Sequence, residues 1–131
     1  MKPFIFSSAL LMVVFASCQK ATNDVPANPS KLAIKLYSPT DGSRLRQGDT
    51  LYLKADVSYV TELHGYEIEM TDSATGATVW SADAHQHDDH FSIDQRWIDT
   101  LNRPATLRLN LSVEIDHDGN RVDTTVRILN L

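Results

Sequence analysis

Five histidines stand out in this 131-residue chain: His64, His85, His87, His90 and His117. Three of them fall in one short segment, Ala84-His85-Gln86-His87-Asp88-Asp89-His90. Neutral imidazole is a ligand for Zn, Cu, Ni and Fe, and a neighbouring carboxylate can orient the ring or ligate directly. An extended His85-x-His87 would present both rings on one face, because residues i and i+2 of an extended chain point the same way. Asp83, Asp88, Asp89 and Asp116 lie beside these histidines in sequence and are the expected supporting carboxylates. The ligand chemistry suits Cu(II) or Zn(II). Without a thiolate or a Met-rich stretch, a dedicated Cu(I) site is disfavoured. The competing reading is bland: a solvated polar connection has the same His and Asp content.

Other chemistry is thinner. Asp116-x-Asp118-x-Asn120 alternates oxygen donors as a calcium loop does, but an EF-hand needs its Gly two positions later and a Glu at the twelfth, where this chain has Arg127. A hairpin turn explains that segment better. No G-x-S-x-G nucleophile elbow and no Walker or Rossmann glycine pattern occurs. Glu67 and Glu69 share one parity and read as a solvated strand face. Trp80 and Trp97 read as core or sheet-edge anchors, with a glycan-contacting surface as the alternative. The expectation is a binding protein, not an enzyme.

The elements that must position the histidines are strands. Apolar and polar residues alternate with period 2 along most of the chain after residue 30. Leu32, Ile34 and Leu36 open a first strand that Pro39 ends. Leu51, Leu53, Ala55 and Val57 give a second, and Tyr66, Ile68 and Met70 a third. Thr78 to Ser81 makes a short fourth; Phe91 and Ile93 mark a fifth. Asp94 to Leu101 has room for one helical turn. The run Leu107, Leu109, Leu111, Val113, Ile115 is the cleanest alternation, and Val122 to Ile128 returns as the last strand. Asp118-Gly119 between them predicts a two-residue turn with positive φ at both positions.

About seven short strands in roughly 100 residues predict an all-β, two-sheet sandwich. Following the chain up and down places the connections carrying His64, His85–His90 and His117 at the same end, so all five histidines should meet there. Glu62 and Asp118 share that end.

The wording of the turns carries a resemblance. Tyr37-Ser38-Pro39-Thr40-Asp41-Gly42-Ser43, followed by Gly48-Asp49-Thr50-Leu51, resembles the opening strands of bacterial immunoglobulin-like domains. Asp116-His117-Asp118-Gly119-Asn120 resembles the hairpin before their last strand. At the amino terminus, Met1-Lys2 and the apolar run Phe4 to Phe15 have the build of a secretory signal. The run is too short for a spanning helix, which needs about 20 apolar residues. It ends in Phe15-Ala16-Ser17-Cys18, which resembles the lipobox of bacterial lipoproteins. A conventional cut after Ala16 is the competing reading.

The resemblance implies a signal peptide over 1–17, a lipidated Cys18 with a flexible tether over 18–30, and an immunoglobulin-like (fibronectin-III-like) domain over 31–131. Taken together, the chain resembles the single-domain, immunoglobulin-like lipoproteins of Gram-negative bacteria. Gln19-Lys20 after the cysteine, with no Asp at the second place, implies the outer membrane; the periplasmic and surface faces both stay open. The expected partners are therefore the membrane, through the N-terminal lipid, and an unidentified protein or glycan, with the domain itself monomeric. Seventeen Asp and Glu against twelve Lys and Arg, net charge −5, argue against nucleic acid, which calls for a basic face. A single cysteine excludes a disulfide framework.

Overall fold

The computed structural model describes residues 27–131; the expected signal and lipobox, with Cys18, lie outside the described residues. A single 3₁₀ turn over Pro29–Lys31 leads into eight strands: β1 Ala33–Ser38, β2 Ser43–Leu45, β3 Thr50–Ser58, β4 Gly65–Asp72, β5 Thr78–Ala84, β6 His90–Ile98, β7 Ala105–Glu114 and β8 Arg121–Asn130. They form a three-stranded sheet ordered β1-β3-β6 and a five-stranded sheet ordered β2-β8-β7-β4-β5. Among the described residues no helix is long and apolar enough to cross a membrane.

The alternation visible in the sequence becomes the two inner faces of a sandwich. Leu51, Leu53, Ala55 and Val57 of β3 and Phe91, Ile93 and Trp97 of β6 point inward from one sheet. Tyr66, Ile68 and Met70 of β4 and Leu107, Leu109, Leu111 and Val113 of β7 meet them from the other. Full burial of each such aliphatic side chain contributes about 1.5–3 kcal/mol. A one-residue slip of either strand would turn its apolar set to water, so the core fixes the register.

The all-β, two-sheet sandwich of about seven strands is as expected, and three local details differ. The count rises to eight because Ser43–Leu45 pairs in parallel with β8. The turn before it is clamped to β8, with the Gly42 N–H donating to Arg127 O at 2.8 Å and the Arg127 N–H to the Asp41 carboxylate at 2.8 Å. That clamp carries the chain from one sheet to the other. Asp94 to Leu101 holds no helical turn: β6 runs on to Ile98, paired with β3 residue by residue from Ser58–His90 to Thr50–Ile98. Period-2 burial of Phe91, Ile93 and Trp97 against the core outweighs any local helical preference.

The β7–β8 turn is not a two-residue type I′ turn. Only Gly119 has positive φ there, 85°. The Asp116 carboxylate organises a longer loop by accepting from the backbone N–H groups of Asp118 (3.0 Å) and Asn120 (3.1 Å) and from Asn120 Nδ2 (2.7 Å). A short side chain bonding to backbone two and four residues on is the usual competitor of a tight turn.

Candidate metal centre at one end of the sandwich

Strand direction sets which connections share an end. The β3–β4, β5–β6 and β7–β8 connections all emerge at the same tip, and β1 begins there too, since Ala33 pairs with Ser58 and Ser58 with His90. Two of these connections cross between the sheets side by side. They are tied by backbone bonds from Tyr59 N to Asp89 O (2.7 Å) and from Leu63 N to Asp88 O (3.0 Å). The incoming chain is held at this tip as well, where the Asn28 N–H donates to Tyr59 Oη at 2.7 Å.

Four of the five histidines converge. The His64 ring lies 3.8 Å from that of His117, 4.9 Å from His87 and 6.2 Å from His85, measured between ring centroids. His85 and His87 are 4.5 Å apart in an edge-on arrangement, as their i, i+2 spacing predicts. His64, His85 and His87 each bring one nitrogen within 4.8 Å of the other two. His117 sits farther from His85 and His87, at 6.5 Å from each.

Gly65 permits this approach. With φ of 127° it lies against β5 so closely that a Cβ would fall 2.1 Å from Ala84 O and 3.0 Å from His85 Cα. The absent side chain lets the start of β4, and His64 with it, press against the end of β5.

His64 is the half-buried member of the group, and its Nδ1 is buried without a hydrogen-bond partner. Burial, followed by the nearby His117 and His87 rings, holds its pKa below the usual imidazole value. The ring is therefore kept neutral, the form that offers a lone pair to a metal. Glu62 and Glu114 pull in the other direction and lose.

His90 stands at the same tip but outside the group. It begins β6 in the three-stranded sheet, and facing sheets lie about 10 Å apart. Its exposed Nδ1 bonds the adjacent Asp89 carboxylate at 2.7 Å, and that bond raises its pKa. None of the aspartates next to the histidines in sequence bonds one of the four converging rings. Asp89 serves His90, Asp116 holds its own loop, Asp88 offers its backbone carbonyl to Leu63, and Asp83 faces outward beside Glu67 in the β4–β5 register. Glu62 is the acid hydrogen-bonded to the group: its Oε1 lies 2.7 Å from His87 Nδ1, across 25 residues of chain. Its link to His87 in particular follows from two connections crossing side by side, a relation that linear spacing does not display.

The fit to a metal can be tested by distance. Zn–N bonds of about 2.0–2.1 Å in a tetrahedron place ligand nitrogens about 3.3 Å apart. The three nitrogens would close by roughly 1.5 Å, a movement available to the exposed His85 and His87 through side-chain rotation. An all-imidazole donor set suits borderline transition metals and does not suit Ca or Mg, which take oxygen ligands.

Two sheets of these orders, with connections crossing between them at both ends, make the chain an immunoglobulin-like, fibronectin-III-like β-sandwich module. No protein-family model and no curated protein matches the sequence. Among solved structures, the sporulation control protein Spo0M of Bacillus subtilis is similar at TM-score 0.53 and 11% identity, over 76% of this chain and 48% of that one. This chain thus spans about half the length of that protein. The fibronectin(III)-like modules of Clostridium thermocellum CbhA align at TM-score 0.48 and 16% identity, over 75% of this chain and 94% of theirs. The CARDB domain of PF1109 from Pyrococcus furiosus, solved in complex with di-metal ions, aligns at TM-score 0.43 and 11% identity, over 76% and 93%. At such identities the likeness concerns fold, and the likeness to Spo0M carries it.

Proposed function

We propose that this chain is a non-enzymatic binding module of the cell envelope that holds one Zn(II) or Cu(II) ion through His64, His85 and His87, with His117 alongside. The observation that carries the reading is the unpartnered, buried Nδ1 of His64 among three other imidazoles. A buried polar atom without a partner costs about 1–3 kcal/mol, and a bound ion would remove that cost. Attachment to the outer membrane through a lipid on Cys18 belongs to the same proposal and rests on the resemblance of residues 15–18 to a lipobox. Mass spectrometry of the membrane-extracted protein checks it, with an acylated Cys18 expected.

The metal reading is tested by titrating the full chain with Zn(II) and Cu(II) under a competing chelator. One equivalent is expected, lost in His64→Ala and His85→Ala and retained in His90→Ala. Uptake that is substoichiometric, or equal in all variants, overturns it.

A second reading is favoured by a different face. Tyr37 and Tyr52, each 49% exposed, and Ile98, 57% exposed, stand on the outer side of the three-stranded sheet. That surface suits a protein or glycan partner without any metal. Loss of partner capture in Tyr52→Ala, with metal uptake unchanged, would separate it from the first.

A further inference from the structure

We propose that Glu62 is the positioning residue of the metal site: its carboxylate fixes the tautomer of His87 so that Nε2, and not Nδ1, faces the ion. This rests on the metal reading above and names a part of the site that the sequence spacing left out. A carboxylate oxygen accepts, so the His87 nitrogen 2.7 Å from Glu62 Oε1 is the one bearing hydrogen. The remaining nitrogen then carries the lone pair. A neutral imidazole has one of each, so this single contact decides which atom is available to coordinate.

The contact is built, not incidental. Glu62 and His87 belong to different connections, and the backbone bonds Leu63 N to Asp88 O and Tyr59 N to Asp89 O set those connections side by side. Each bond involves a residue within three positions of one of the pair. His90 and Asp89 make a bond of the same length, but between sequence neighbours, on a ring that joins no other histidine. The same geometry thus occurs twice at this tip, and only one copy is attached to the converging group. His85 and His117 have no such carboxylate bond among the described residues, so Glu62 acts on one ligand alone.

Carboxylates behind metal-bound histidines orient the ring and raise its basicity, and removing one typically costs 10–100-fold in affinity. The experiment combines two measurements on the full chain and its Glu62→Ala and Glu62→Gln variants. Imidazole ¹⁵N shifts in the metal-free protein report the His87 tautomer; Zn(II) titration under a competing chelator reports affinity. Wild type is expected to hold His87 protonated at Nδ1, and Glu62→Ala to revert to the ordinary Nε2-protonated form with about 10–100-fold weaker binding. Glu62→Gln keeps an acceptor at the same place and should keep the tautomer with a smaller loss. An unchanged backbone amide spectrum excludes misfolding as the cause.

Wild type that binds one equivalent while Glu62→Ala keeps both tautomer and affinity overturns the role of Glu62. Wild type that binds no metal, with the tautomer still switching on mutation, overturns the metal site on which the proposal stands.

Discussion

At the scale of single residues, Gly65 has the most consequence for its size. Any side chain there meets the carbonyl of Ala84 well inside contact distance, and φ of 127° is strained for an L-residue. Gly65→Ala should therefore cost about 1–3 kcal/mol of stability from backbone strain, plus whatever separates β4 from β5. Urea unfolding measures the first part. Because His64 precedes this residue and His85 faces it, metal affinity should fall in the same variant beyond what stability alone accounts for. The histidines themselves were legible from composition, and their common end from strand direction. Membership of the group was only partly legible. His90 was adjacent in sequence, yet it begins a strand of the three-stranded sheet, and a sandwich tip is wide enough to separate two sheets. Asp83 and Asp116 belong to the same sheet as the group, one set beside Glu67 and the other bonded into its own loop. His64, by contrast, is 21 positions from His85 and touches the group because two crossovers meet.

Elements fold around their fixed points, and the end opposite the histidines supplies a second case. Asp72 closes β4 there: it is 1% exposed, accepts from Ala74 N at 2.8 Å and is paired with the guanidinium of Arg103 on the β6–β7 connection. Arg103, with the Ala74 bond adding to it, holds this carboxyl below the ordinary aspartate pKa of about 3.9. A depressed folded-state pKa contributes stability that is present above the unfolded value and is lost as pH falls through the folded one. Urea midpoints between pH 7 and pH 3 should consequently fall less for Asp72→Asn than for wild type, starting from a lower value at pH 7. The residual acid sensitivity belongs to Asp56 and Asp116, whose carboxyls are lowered by hydrogen bonds from Tyr37 and Ser92, and from Asn120, and to His64, whose burial disfavours protonation in the folded state. Long strands were legible element by element, since four or more alternating residues declare a face. Ser43–Leu45 was not: three residues are too few to show a period, and parallel pairing with β8 depends on a clamp 86 positions away in sequence.

Across the whole molecule, a bound ion would join the β3–β4 connection to the β5–β6 connection and so tie both sheets at one tip. A ligand that binds only the folded state stabilises it by about 2.7 kcal/mol at 100 times its Kd, which for a domain of this size is a rise in Tm of about 10–20 °C. Zn(II) should produce that rise in wild type and none in a His64→Ala, His85→Ala, His87→Ala triple variant, and Ca(II) should produce none in either. Equal melting curves with and without Zn(II) would contradict a folded-state site.

The hydrogen bond from Asn28 N to Tyr59 Oη fixes where the polypeptide joins the sandwich, and that gives the molecule a polarity. Cys18 and Ala27 are nine positions apart, a span of at most about 30 Å even when fully drawn out. A domain leashed at Cys18 would hang with its imidazoles turned toward the bilayer and its Gln47–Asp49 and Thr75–Ala77 turns turned away. On the proposed metal reading, ions in the thin aqueous layer over the lipid headgroups would then be the accessible cargo.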